Sequence, residues 1–530
     1  MVTGRDGRDG VGEGSLRPEH PVPRSLARLA EEFGFGIATG DPGETEVTGV
    51  AISSKAVEDG DLYVALPGAK AHGADFAAEA AAGGAVAVLT DPAGLEAARA
   101  AGVPVLVTAE PRAALGAVAS FVYRTDRDLP TLYAVTGTNG KTSVVHLLDG
   151  LLAQLGVLAA LTSTAERRIG STRLDSTLTT PEANDLHAML ARMKEVGVRA
   201  AAVEVSAQAL TRHRVDGVVF DVAGFTNLSH DHLDDYADLE TYFAAKLQLF
   251  DPDRAARGVV LVDTEWGRRI ADESRIPIAT IALGGAPADW HVTIVEERAD
   301  RTTFTLMAPD GRSITTSVPF FGAYMATNAS LAIVMLVESG IDLGEIGHAT
   351  ERDDGIDAFI PGRIERLSGE RGPAFYLDYG HTPDAFLTTL KALKAVTPGR
   401  VVMVFGADGD RDRTKRHDMG AIAAREADAV VITDFHPRSE DPATIRAALL
   451  EGARTARPDG ELHEVPDPRE AVRLAVRLAG DGDSILYAGP GHENYREVAG
   501  VKLPYSARTD ARIALQEAGW EPAFAGIDEP

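Results

Sequence analysis

A chain of 530 residues with a formal net charge of −27 and no cysteine excludes several classes before any motif is read. It has no disulfide framework, no thiolate metal site and no cysteine nucleophile, and its acid excess argues against a nucleic-acid surface, which needs clustered positive charge. The length exceeds what one hydrophobic core supports and points to roughly three domains at about 150 residues each.

In chain order, residues 1–24 carry charges and glycines where a signal peptide would be apolar, and are expected to form a flexible tail. From 25 to 130 the pattern is mixed α/β. "DLYVAL" and "VPVLVTA" read as buried strands, and "DFAAEAAAGG" as a helix stopped by glycine. A second unit, 131–358, opens with the strand "TLYAVTG", a glycine turn and the helix "KTSVVHLLDGLLAQLG". It continues through "RAAAVEVSA" and "GVVFDVAGF", as expected of a parallel, doubly wound sheet. "GIDAFIPGR" marks a boundary near 359. Beyond it, in 359–530, "RVVMVFG", "DAVVITD" and "DSILYAG" are strands of another α/β unit. No run of about 18 apolar residues predicts a membrane span, so a cytoplasmic location is expected.

The turn "TGTNGKTS" holds the first chemistry. Val135 stands where the generic phosphate loop has its first glycine, so Gly137 makes the early turn. Glycines let backbone N–H groups close on a phosphate, Lys141 adds charge, the helix N-terminus faces the anion, and the Thr142 hydroxyl suits Mg²⁺. The plainer alternative is a capped helix start with Lys141 at the surface. Glu204 ends a strand where an acid would hold Mg²⁺, or else it is an edge carboxylate in solvent. His232, among Asp231, Asp234 and Asp235, either supplies a metal ligand or belongs to a solvated acidic loop. Lys246 shares a helical face with Tyr242, Phe243 and Phe250. It either snorkels to water or is desolvated, with a reactive neutral amine.

Taken together, "LYVALPGAKAHGADF", "TGTNGKTS", "STLTTPE", "EVSAQAL", "FTNLSHDHLD", "YFAAKLQLF", "PGRIER", "DYGHTPDA", "GDRDRTKRHDMG", "HPRSEDP" and "GPGHE" resemble, in order, the Mur ligases of MurE type. The resemblance implies a three-domain α/β fold: a UDP-substrate domain, a central parallel-sheet P-loop ATPase and a C-terminal Rossmann-like domain. It implies an ATP-dependent ligase that turns a carboxylate into an acyl phosphate and joins it to an amino acid amine. The substrates implied are UDP-N-acetylmuramoyl-L-Ala-D-Glu and a diaminopimelate-like amino acid, in peptidoglycan precursor synthesis. ATP and Mg²⁺ are the implied cofactors and small molecules the only partners, with no nucleic acid or membrane involved and the enzyme a monomer.

By the same resemblance, Gly137, Thr138, Asn139, Gly140, Lys141, Thr142 and Ser143 cradle the phosphates. Thr142 and Glu204 ligate one ion, His232 helps hold another, and Lys246 is carbamylated beside them. Asn328 contacts adenine, while Arg363 and Asp378 contact phosphate and ribose. Ser54 and His72 hold UDP; Thr179, Thr180, Ser206 and Arg214 lie near the rest of the nucleotide-sugar peptide; Arg411, Arg438 and Glu493 read the incoming amino acid. Arg438 in this family forks onto the distal carboxylate of meso-diaminopimelate, so an acceptor with a carboxylate in its reach is expected.

The chain departs from the family at Met325 beside the adenine contact and at Ser53–Lys55. Further departures are Ala207 and Gln208, Ala407 and Asp408, Phe435 and His436, and Pro490. Their clustering on the substrate pockets keeps open a paralogue that ligates a different amino acid or carboxylate in a specialised peptide pathway. A decayed, non-catalytic nucleotide binder fits poorly because Lys141, Glu204, His232 and Lys246 all remain. Folylpolyglutamate synthase fits worse because "HGADF" and "HPRSEDP" have no place in it.

Overall fold

A computed structural model describes residues 16–174, 178–231 and 235–523. These residues form two compact units, the first drawn from 1–134, 157–223 and 248–257, the second from 135–156, 224–247 and 258–530. Neither unit ends near 359, where glycine and proline suggested a division. On either side of that point the hydrogen bonds run to different segments: Ile356 N donates back to Ser317 O at 2.8 Å, and Gly362 N donates forward to Glu365 Oε2 at 2.9 Å.

In the first unit a five-stranded sheet runs Gly36–Thr39, Val105–Val107, Ala87–Thr90, Asp61–Val64, Gly49–Ala51. Only its first pair is antiparallel. Leu62 and Val64 pack into one core with Leu26, Leu89, Leu106 and Leu115, while Tyr63 and Ala65 pack into a second with Ala74, Ala77 and Val88. A parallel sheet covered on both faces needs apolar residues at every position, which is why "DLYVAL" reads as a continuous run. The same unit holds the parallel pair Ala159–Thr162 and Ala200–Glu204, extended by the hairpin Arg167–Ile169 and Thr172–Leu174.

The expected flexible tail is held from Arg17 onward, a correction to the sequence reading. Arg17 forks onto the buried Asp61 at 2.7 and 2.9 Å, and Glu195 accepts from the backbone N–H of Glu19 and His20, both at 2.8 Å. Composition alone cannot show that a charged, glycine-rich segment ends on a buried carboxylate.

In the second unit, the strands from Gly258 to Leu261 and Ile278–Leu283 are parallel. A meander, Trp290–Glu297, Thr302–Met307 and Ser313–Val318, then turns antiparallel. The central sheet is thus parallel where it was expected to be and carries an antiparallel extension that was not expected. The meander strands are threonine-rich and half-exposed, so no buried run announces them. A six-stranded sheet follows in the order Glu365–Arg366, Ala374–Asp378, Ser484–Ala488, Val401–Phe405, Ala429–Ile432, Glu461–Glu464. It is parallel except at its first edge. Ligands in open α/β sheets bind beyond the carboxyl ends of the strands. Arg411, Arg438 and Glu493 all lie in loops that leave those ends.

His187 is fully buried in the first unit. Its Nε2 donates to Asp216 O at 2.9 Å and its Nδ1 accepts from the Thr125 hydroxyl. Burial pushes its pKa down to about 4, partly offset by the Asp216 carbonyl. The unfolded chain takes up a proton near pH 6.5 that the folded chain refuses. The stabilisation is therefore complete above that pH and is lost as pH falls from 6.5 toward 4, by up to about 3 kcal/mol. His187→Gln is expected to lower the urea midpoint at pH 7.5 and to flatten the midpoint's fall between pH 6.5 and 4.

Candidate active site

The strand Thr131–Thr136 ends on Gly137 at φ +150°, where a Cβ would lie 1.9 Å from Thr226 Oγ1. Gly140, at φ +89°, would bring a Cβ within 2.8 Å of Asn328 Oδ1. Both positions require glycine. The helix Lys141–Gln154 follows at once. Residues 226–229 clamp the loop: Thr138 N donates to Asn227 O at 2.9 Å and Asn139 N to Asn227 Oδ1 at 3.0 Å. Thr226 Oγ1 donates to Asn139 O at 2.6 Å, and Ser229 N to Thr138 Oγ1 at 3.1 Å. Lys141 Nζ folds back to donate to Thr138 O at 2.8 Å, so it belongs to the loop and is not a solvated surface group. Thr142 and Ser143 are buried in the first helical turn.

Lys246, on the helix Leu239–Leu247, is 1% exposed and does not reach water. Its Nζ donates to Gly137 O at 2.6 Å and sits 4.3 Å from the centre of the Tyr242 ring. Burial holds the Tyr242 phenol well above its ordinary pKa, so that wall of the site stays neutral.

Other expected residues of the second unit gather at the same loop. Arg363 Nη2 donates to Thr142 Oγ1 at 3.2 Å and its guanidinium lies 4.2 Å from the Tyr379 ring centre. Asn328 is buried with its amide against Gly140, at the phosphate end of the loop. The Asp378 carboxylate accepts from Ile364 N at 3.1 Å and Gly380 N at 2.7 Å, so it shapes the loop that carries Arg363. Sequence reasoning did not single out Lys415, whose Nζ meets the buried Asp231 at 3.1 Å, or the His230–Asp412 pair at 3.0 Å. Both pairs join segments already recognised as motifs, "SHDH" and "DRDRTKR", and that was the available signal. His232 and Asp234 lie outside the described residues.

In the first unit Glu204 is 2% exposed, which rules out the solvent-edge alternative. Its Oε2 accepts from Thr164 N at 2.9 Å, and Thr164 Oγ1 is 3.2 Å from both carboxylate oxygens. Thr179 Oγ1 meets Thr164 Oγ1 at 2.9 Å, and Thr180 Oγ1 donates to Glu204 O at 2.7 Å and accepts from Ser206 N at 3.1 Å. Ser206 also caps the helix Ala207–Thr211. Arg214 is held by Glu182 at 3.1 Å. Ser54 opens a short turn, while His72 caps another and meets Asp91 at 3.2 Å.

The amino-acid residues sit at the carboxyl ends of the six-stranded sheet. Arg438 adopts φ +51°, and its Nε lies 3.6 Å from Glu497 Oε2. His436, 3% exposed, accepts from Glu497 N at Nδ1 and therefore carries its proton on Nε2, which donates to Glu493 Oε2 at 2.7 Å. Arg416, paired with Glu440 at 2.9 Å, holds that carboxyl down to about 2. Glu440 Oε1 also accepts from Asp410 N at 2.7 Å, which fixes the loop that presents Arg411. Glu440 and Glu497 were not expected from the sequence.

The glycine cradle and Lys141 fit a triphosphate. Among the described residues no three His, Asp or Glu side chains draw together as a metal site.

The sequence matches the models of the Mur ligase middle domain over 135–336, of the Mur ligase glutamate ligase domain over 362–491, and of the Mur ligase family catalytic domain over 46–123. It is 67% identical to the UDP-N-acetylmuramyl-tripeptide synthetase of Leifsonia xyli subsp. xyli, across 96% of this chain and 99% of that one. It is 44% identical to the UDP-N-acetylmuramoyl-L-alanyl-D-glutamate–2,6-diaminopimelate ligase of Streptomyces coelicolor, across 95% and 99%. A solved structure of a ligase of the latter name superimposes with a TM-score of 0.64 at 28% identity, covering 94% of this chain and all of the other. MurF from Acinetobacter baumannii, 20% identical with a TM-score of 0.66 over 88% of this chain and 96% of its own, shares the fold. Among the described residues no helix is long and apolar enough to cross a membrane. With matches along nearly its whole length, the chain belongs to the Mur ligase family, the three-domain, ATP-dependent ligases that form amide bonds.

Proposed function

We propose that this enzyme joins UDP-N-acetylmuramoyl-L-alanyl-D-glutamate to a diaminopimelate-like diamino acid, acting as a monomer in the cytoplasm, where both ATP and nucleotide sugars are made. The observation that carries the reading is the glycine loop held open by residues 226–229 and backed by the buried Lys246, in a chain 67% identical to a named tripeptide synthetase. That identity favours the cell-wall reaction over a specialised peptide pathway.

In this reaction a substrate carboxylate attacks the γ-phosphorus of ATP and ADP leaves. The amine then attacks the acyl carbon and phosphate leaves. Two anions must approach each other, so the chain has to place cations between them in advance. Lys141 and the loop N–H groups hold the phosphates, and Arg363, stacked on Tyr379, orients a phosphate from the other side. Thr142, Glu204 and His232 would hold Mg²⁺, which lowers the charge repulsion between carboxylate and triphosphate. Ser143 and Asn328 line the loop end of the nucleotide site, and Asp378 supports the ribose side. On the donor substrate, Ser54 and His72 hold the uridine end, while Thr179, Thr180, Ser206 and Arg214 hold the sugar-peptide.

Lys246 carries a carbamate in the working enzyme. Its neutral amine adds CO₂ and releases a proton, which turns a cation into an anionic support for the metal site. A carbamate nitrogen keeps one hydrogen, so the bond to Gly137 O survives the modification.

Lys141→Ala should cut turnover about 10²-fold or more, read as ADP release that requires both the UDP-sugar dipeptide and a diamino acid. Near-normal turnover would overturn the assignment. Lys246→Ala and Lys246→Arg should both fail, because a guanidinium forms no stable carbamate. Intact-protein mass under bicarbonate should show the added CO₂ on the wild type alone, and an active Lys246→Arg enzyme would refute this role.

A further inference from the structure

Three arginines stand on the two loops that read the incoming amino acid and a fourth, Arg416, on the helix Lys415–Glu426 that follows the first loop, and their partners decide how many carboxylates those loops can accept. Arg416 and Arg413 both pair with Glu440, at 2.9 and 3.3 Å. Arg438 lies between Glu497 Oε2 at 3.6 Å and Asp408 Oδ2 at 3.9 Å. Among the described residues only Arg411, which is exposed, has no carboxylate beside it. One free cation serves one carboxylate, and every amino acid brings an α-carboxylate. A second, distal carboxylate would have to approach Arg438 past two anions already in place, and like charges brought together out of water are strongly disfavoured.

The opposite charge is well provided for. Asp408 Oδ1 is buried with no hydrogen-bond donor, and an ammonium would satisfy it. Arg438 Nε is likewise buried without a hydrogen bond, but the anion it faces is Glu497. Glu493 accepts from a His436 ring whose proton is fixed on Nε2. Asp408, Glu497 and Glu493 therefore outnumber Arg438.

We infer that Asp408 and Glu497 set the acceptor specificity: by neutralising Arg438 they make the distal end of the amino-acid pocket a reader of ammonium, so the acceptor is a diamino acid whose side chain ends in an amine without a second carboxylate. This rests on the reaction proposed above, and it replaces the sequence-based expectation that Arg438 meets a substrate carboxylate.

The test offers the purified full-length enzyme, with ATP and the UDP-sugar dipeptide, a panel of L-lysine, L-ornithine, L-2,4-diaminobutyrate, meso-diaminopimelate and L-norleucine. ADP release and product mass are followed. At least one of the three simple diamino acids should exceed both meso-diaminopimelate and norleucine by about tenfold or more in kcat/KM, a preference equal to about 1.4 kcal/mol. Asp408→Asn, nearly isosteric, should raise the KM for that diamino acid about tenfold and narrow the gap to meso-diaminopimelate, with the KM for ATP unchanged. Glu497→Gln should act in the same direction. Wild-type preference for meso-diaminopimelate would overturn the inference and leave the ligase reading intact. So would an Asp408→Asn enzyme of native thermal stability with unaltered preference. Failure of every acceptor with the UDP-sugar dipeptide would instead overturn the reading on which the inference rests.

Discussion

The carbonyl of Gly137 accepts a hydrogen bond from a lysine that has been taken out of water, and the geometry of the phosphate loop follows from that bond. Burying an ammonium is costly unless its hydrogens are met, and here the carbonyl and the face of Tyr242 both meet it. The carbonyl can point that way only because residue 137 has no Cβ, since Thr226 Oγ1 fills the space one would need. Thr226 in turn ties down Asn139 O, and Asn227 ties down the N–H groups of Thr138 and Asn139. Gly140 and Lys141 are thereby left at the head of the helix, where amides and charge face an incoming phosphate. The loop is set before any nucleotide arrives, so little reorganisation is required when charge moves during the reaction.

Much of this was legible because the residues are contiguous. Strand, glycines, Lys141, Thr142 and helix form one stretch, and the spacing from Tyr242 to Lys246 put ring and amine on one helical face, where the structure has them. The clamp was less legible, since Thr226 and Asn227 act on backbone groups, which look alike at every position. Glu204 shows another limit. A carboxylate at a strand end is equally compatible with water and with burial, and only the fold brings Thr164 to its oxygens. At the N-terminus, Arg17 looked like one charge in a polar tail until its partner, Asp61, proved to be buried. In each case the missing information was a long-range neighbour.

The amino-acid end carries the same lesson with more chemical consequence. A motif assigns Arg438 a role by its identity, but an arginine reads carboxylates only if its charge is available. Here availability is decided by Asp408 and Glu497, residues that a motif comparison registers as a departure or passes over. His436 is similar. In the sequence it was only a departure from the family, yet its ring bridges Glu497 N and Glu493 and so orders one of the acceptor-reading carboxylates. Asp408 and His436, two of the departures from the family, both lie in loops at the carboxyl ends of the six-stranded sheet.

A chain with a net charge of −27 nonetheless handles substrates rich in phosphate and carboxylate, and the two facts are compatible because of screening. At physiological ionic strength the Debye length is about 8 Å, so the bulk of the surface charge is not felt inside a cleft, whereas a lysine or arginine within one hydrogen bond is. Lys141 is anchored to its own loop, Arg363 is stacked on Tyr379, and Lys415 meets Asp231. Each of these cations is held in place by a local partner. The same partners limit how many anionic groups a site can accept, and that limit, more than the count of basic residues, governs which substrates fit.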